Sequence, residues 1–162
     1  MKASIAAVLA LLVASPVLAQ QRAMQTPQPT NVRLTFHLIE ADSFQGEDAD
    51  IRAIVTELRK LFRFQGYRLA SKSILNATAW PPSNASQRIT DPDGGIYTLS
   101  ARVSTIDSTT VRLEVELMGT GNRDLIVASV NLADGKTAVL GSAKPNQNAR
   151  ALILAVTPTI NP

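Results

Sequence analysis

Two runs of strict apolar–polar alternation constrain this chain more than any other feature. In the first, Tyr97, Leu99, Ala101 and Val103 are interleaved with Thr98, Ser100, Arg102 and Ser104. In the second, Val111, Leu113, Val115 and Leu117 are interleaved with Arg112, Glu114 and Glu116. A period of two puts every apolar side chain on one face of an extended strand and every polar one on the other. The Asp107-Ser108-Thr109 turn between the runs predicts an antiparallel hairpin with one buried and one wet face. A one-sided sheet must bury that face against a second layer. With no cysteine in the sequence, packing and sheet hydrogen bonds have to hold the layers without disulfides.

The same period recurs on both sides of the hairpin. Val32, Leu34, Phe36 and Leu38 alternate with Arg33, Thr35, His37 and Ile39 in a first strand. Tyr67 to Ala79 reads as a longer extended segment, stopped at Trp80-Pro81-Pro82, where two prolines remove ladder donors. Ala85 to Thr90 is a short strand, and Asp91-Pro92-Asp93-Gly94-Gly95 is a turn in which both aspartates serve as turn residues. After Gly119-Thr120-Gly121-Asn122, Leu125 to Leu132 reads as a strand that Asp134-Gly135 folds back as a hairpin onto Lys136 to Ser142. Ala151 to Val156 is apolar at every position, the pattern of a central strand covered on both sides.

One segment has helical period. From Ala49 to Phe62, the residues Ile51, Ile54, Val55, Leu58, Leu61 and Phe62 form a single apolar stripe. Asp48 is the expected N-cap, Asp50 lies in the first turn, Arg59 and Lys60 lie in the last turns, and Gly66 is the expected terminator. The predicted fold is α+β: an antiparallel β-meander or sandwich of about six to eight strands with one amphipathic helix packed on it. It is expected to form one domain over residues 31–162, with a βαβ-like front at 31–80 and a β-meander at 85–160.

Ahead of the domain, Lys2, the apolar run Ile5 to Val13, the Ser15-Pro16 break and Val17-Leu18-Ala19 have the three-part form of a signal peptide. Cleavage is expected after Ala19. The run is shorter than the ~20 residues of a spanning helix, so no integral membrane segment is expected in the mature chain. Residues 20–30 (QQRAMQTPQPT) read as a flexible linker. Export without cysteines suits a periplasmic or secreted protein. Asn76-Ala77-Thr78 and Asn84-Ala85-Ser86 match the glycosylation triplet, which matters only in a eukaryotic host.

The net charge is +3, with cations concentrated at Arg59, Lys60, Arg63, Arg68 and Lys72. Only Phe62, Phe64 and Tyr67 are interleaved with them, and the balance of features favours dipole complementation and a solvated helix end over a nucleic-acid site. His37 is the sole histidine and has no second imidazole or thiol with which to hold zinc. No serine occupies a G-x-S-x-G elbow, and Ser142 with Lys144 is more economically read as part of a hairpin than as a Ser–Lys pair. Asp42, Glu47, Asp48 and Asp50 lack the alternation of a calcium loop. No catalytic residue, metal or cofactor is expected.

The stretch Val130-Asn131-Leu132-Ala133-Asp134-Gly135-Lys136-Thr137-Ala138-Val139-Leu140-Gly141, followed by Leu152-Ile153-Leu154-Ala155-Val156-Thr157-Pro158-Thr159-Ile160, resembles the end of the core domain of bacterial secretins, the outer-membrane rings of secretion and pilus systems. The front unit, a strand, a helix and then Phe64 to Leu69 (FQGYRL), looks similar to the small periplasmic domains that precede that core. Only Ser142 to Arg150 stands where secretins carry a longer, lip-forming insert. The resemblance therefore implies a shared hairpin and an envelope setting, not a pore. These readings converge on a non-enzymatic periplasmic interaction module, accessory to an envelope secretion or pilus-type assembly, with an envelope protein as partner. Its contact surface is expected around Arg59, Arg63, Tyr67, Arg68 and Trp80. The alternative is a small-ligand carrier, in which a curled sheet encloses an apolar pocket.

Overall fold

Among the described residues, eight strands and one short helix follow one another. They are β1 (Thr30–Asp42), a 3₁₀ turn (Ala49–Ile51) running into α1 (Arg52–Leu61), β2 (Gly66–Trp80), β3 (Ser83–Thr90), β4 (Ile96–Thr105), β5 (Thr110–Gly119), β6 (Arg123–Ala133), β7 (Ala138–Gly141) and β8 (Ala151–Ile160). The computed structural model describes residues 29–44, 48–141 and 150–161. The expected leader, nearly all of the linker, Glu47, Ser142 and Lys144 lie outside the described residues.

The strands form two four-stranded sheets, in the orders β2-β1-β8-β7 and β3-β4-β5-β6. Every pairing is antiparallel. The alternation read from the sequence becomes the space between the sheets. Leu34, Phe36, Leu38, Leu152 and Leu154 from one sheet share a core with Leu99, Val103, Leu113 and Leu117 from the other. Burying a side chain of this size stabilises the fold by about 1.5–3 kcal/mol.

The helix adds a third layer on the far side of the first sheet. Ile51, Val55 and Leu58 pack against Ile39, Ala41, Tyr67 and Ile153 in a second cluster. This explains why β8 is buried continuously from Leu152 to Val156. Its even positions face the second sheet, and Ile153 faces the helix, as expected of a central strand.

The structure corrects four local expectations. The segments flanking the helix do not make a βαβ unit, because β1 and β2 are antiparallel neighbours, so α1 sits on a hairpin connection. The Asp134-Gly135 turn does not close a hairpin either. Asp134 donates its N–H to Thr109 O (2.8 Å), Gly135 donates to Pro158 O (2.8 Å), and Ile160 donates to Asp134 Oδ1 (2.8 Å). Those bonds pin the turn to both sheets and carry the chain from β6 across to β7, which pairs with β8 instead.

Asp48 does not cap the helix through its side chain. Its Oδ2 instead accepts the N–H of Leu69 (2.8 Å), beside the register break that β2 makes against β1 after Leu38. The helix ends at Leu61, with Phe62 already extended, so Gly66 is not the terminator. It opens β2 where the backbone of Phe44 passes so close that a Cβ would overlap the Phe44 carbonyl oxygen.

Candidate functional site

The C-terminal end of α1 and the first residues of β2 gather most of the chain's unusual side chains. Tyr67 is buried, with 2% of its surface exposed, and donates its hydroxyl to Phe62 O (3.2 Å). Burial pushes the Tyr67 phenol above its usual range, opposed in part by the nearby Arg59. Phe64 stands edge-on to the Tyr67 ring at 6.2 Å and stacks on Phe62 at 6.2 Å, favoured geometries for aromatic pairs. This stack forms a firm floor under the helix end. Leu61, the last residue of α1, is 68% exposed, and Phe64 is 36% exposed. Arg59, Lys60 and Arg63 are exposed in the same stretch of chain, Lys60 being paired with Glu57 at 2.7 Å.

Arg68, one residue past Tyr67, turns away into an ion cluster. Glu40 is fully buried, and its Oε2 accepts from Arg68 Nη2, from Arg68 Nε (3.2 Å) and from Arg150 Nη1 (3.3 Å). Asp93 Oδ2 accepts from Arg68 Nη2 (2.8 Å) and from Arg150 Nη1. Phe44 lies against both guanidiniums, 4.9 Å from Arg68 Cζ and 5.1 Å from Arg150 Cζ, within cation–π range. Hydrogen bonds from Arg68 and Arg150 hold the Asp93 carboxyl below its ordinary range and raise both guanidiniums in return. Two cations and two anions thus close on one another, joining β1, β2, the β3–β4 turn and the segment leading into β8. Chemically this is a lock, with the Asp93 carboxyl held ionised.

Sequence reasoning missed Glu40, Asp93, Arg150 and Phe44. The signal was present for one of them. Val32, Leu34, Phe36 and Leu38 define the core-facing positions of β1, and position 40 continues that series with a carboxylate. A charge placed there has to be paired. Asp93 was read as a turn residue, but Asp91 does that work: its Oδ1 accepts the N–H groups of Asp93 (2.9 Å) and Gly95 (2.6 Å), and its Oδ2 accepts the Tyr97 hydroxyl (3.0 Å).

The five residues expected to share a surface are therefore divided. Arg59 and Arg63 line the exposed helix end, Tyr67 is its buried support, and Arg68 belongs to the lock. Trp80 is 48% exposed but sits at the other end of β2, about 40 Å along the strand from Arg68.

Elsewhere, an open groove of about 790 Å³ runs over the outer face of the second sheet, lined by Ser86, Ser100, Arg102, Glu114, Val127 and Ser129 among others. Among the described residues no three His, Asp or Glu side chains gather as a metal site, and no helix is long and apolar enough to cross a membrane. Comparison with protein-family models, with curated proteins and with solved structures finds no match to this chain.

Proposed function

We propose that this chain is a non-enzymatic interaction module of the cell envelope, exported and accessory to a secretion or pilus-type assembly, and that it docks a partner protein through the end of α1. The carrying observation is the exposure of Leu61 and Phe64 in one short stretch of chain, with Phe64 packed against Phe62 and Tyr67 and with Arg59, Lys60 and Arg63 exposed in the same stretch. An apolar centre with a cationic rim, rich in aromatic residues and arginine, has the composition of an interface core. The rim's charge selects a partner surface that is apolar at its centre and acidic at its border. The leader and the secretin-like stretch support the envelope setting.

The carrier alternative requires an apolar chamber between the sheets. That space is filled by Leu34, Leu99, Val103, Leu113 and Leu154, each fully buried, and the open groove lies on the polar outer face instead. The interaction reading is preferred for that reason.

Crosslinking the tagged mature chain in its native envelope tests the proposal. Stoichiometric capture of one envelope protein is expected, abolished by Leu61→Glu with Arg63→Glu and retained by Trp80→Ala. Both altered helix-end positions are exposed, so the double variant should keep the parent's melting temperature. Capture that survives the double variant but is lost with Trp80→Ala would move the surface to the other end of β2. No specific capture at all would overturn the reading.

A further inference from the structure

The open groove on the outer face of the second sheet crosses all four of its strands where their register is unbroken. Ser86, Ser100, Glu116 and Val127 stand in one row along it. Asn84, Arg102, Glu114 and Ser129 stand in the other. Between the rows the floor is backbone, because the side chains of Ala85, Ala101, Val115 and Ala128 alternate toward the core. β3 and β6 end the sheet. The groove therefore runs from edge to edge over about 14 Å, three strand spacings, and neither end is walled by a further strand.

Its side chains have hydrogen-bonding capacity to spare. Arg102 and Glu114 are register partners of opposite sign, a pairing that stabilises sheets when it is made. Among the described residues neither joins an ion pair, and nor does Glu116. The hydroxyls are held in place. Ser86 Oγ and Ser100 Oγ share a bond of 3.1 Å, and Arg112 Nε donates to Ser129 Oγ (3.3 Å).

We infer that this groove binds an uncharged polysaccharide, as an extended segment lying across the strands. The chemistry of the two rows selects that ligand. Neighbouring sugar hydroxyls donate and accept at once: a carboxylate accepts from two of them, and a guanidinium fork donates to two. Asn84 and the serines supply both roles. Val127, 70% exposed at one end of its row, gives the C–H face of a ring an apolar rest. A polyanion would meet Glu114 and Glu116. A polycation would meet Arg102, with Arg88 and Arg112 exposed on the same face. An extended peptide laid this way would find apolar side-chain contact only at Val127. The unwalled ends suit a stretch of a longer chain rather than a single enclosed sugar. Because α1 lies on the other sheet, the site is independent of the docking surface proposed there.

Titration followed by the backbone amide resonances of the isotope-labelled chain from Gln20 onward tests the inference. The ligands are uncharged tetrasaccharides of glucose, mannose and N-acetylglucosamine, with tetragalacturonate and tetralysine as charged counterparts. At least one uncharged tetrasaccharide should bind saturably in the millimolar range, with shifts centred on residues 84–86, 100–102, 114–116 and 127–129. Arg102→Ala with Glu114→Ala leaves the net charge unchanged and should weaken that binding by about tenfold or more. Both positions are exposed, so the melting temperature should hold. Leu61→Glu with Arg63→Glu, at the end of α1, should bind the sugar as the parent does. No binding of any uncharged tetrasaccharide overturns the inference, as does tighter binding of either charged ligand. So do shifts centred off the groove, or an undiminished response in the double alanine variant.

Discussion

Glu40 is the inner carboxylate of the lock. It is wholly buried between two guanidiniums that are themselves only 28% and 24% exposed. Glu40→Ala leaves Arg68 and Arg150 sharing Asp93 as the lock's remaining carboxylate, and loss of this buried anion should lower stability by about 1–3 kcal/mol; urea denaturation should show it as a lower midpoint with an unchanged slope. Asp93 acts in the same lock with the sign of a depressed carboxylate. Its contribution is complete above the unfolded-state value of about 3.9 and fades as pH falls through the lower folded-state value. Asp93→Asn should therefore be less stable than the parent at neutral pH and lose less on acidification below about pH 4. His37 works at milder pH. It is 8% exposed, its Nδ1 is buried without a partner, and burial, then the charge of Lys72, push its pKa down, while Asp50 opposes them. Below the unfolded-state value of about 6.5, the unfolded chain binds a proton that the folded chain refuses. Stability should fall with pH from there towards the lower folded value, by at most about 1.4 kcal/mol per pH unit, and His37→Leu should flatten that slope in a pH series of denaturation curves. Continuing the alternation of β1 would have flagged the carboxylate at position 40, yet its partners come from distant segments, and no local spacing announces such a meeting.

At the scale of elements, the helix is a separately anchored layer. Its stripe, Leu61 apart, which stands 68% exposed, was legible because 3.6-residue periodicity needs only a short window, whereas the first turn was not. Asp48 was expected to cap the helix and is diverted to the Leu69 N–H, a donor that only the paired strand makes available. Leu58→Ala should cost about 2–4 kcal/mol and raise amide exchange selectively in α1, leaving β4 and β5 protected. Gly66→Ala should lower the melting temperature, because the new methyl group meets the Phe44 backbone rather than a yielding side chain. The Asp134-Gly135 turn shows where reading ran out: two residues announce a reversal but not which sheet receives the returning strand. Trp80 teaches the converse, since placing it with Arg68 overlooked how far an unbroken strand carries a chain.

The whole molecule is ordered around β1, which pairs with β2 on one side and with β8 on the other. Asn161 donates its N–H to Asn31 O (2.7 Å), so the first and last described strands finish side by side. Removal of residues 151–162 should abolish cooperative unfolding, leaving a chain with no sharp denaturation midpoint. The seam also sets a timetable. A polypeptide made N-terminus first presents β1 early, with no partner for one of its two edges until residues 151–160 follow. Until then that edge of β1 stays open, and the first sheet closes only when the last strand described is laid against the first.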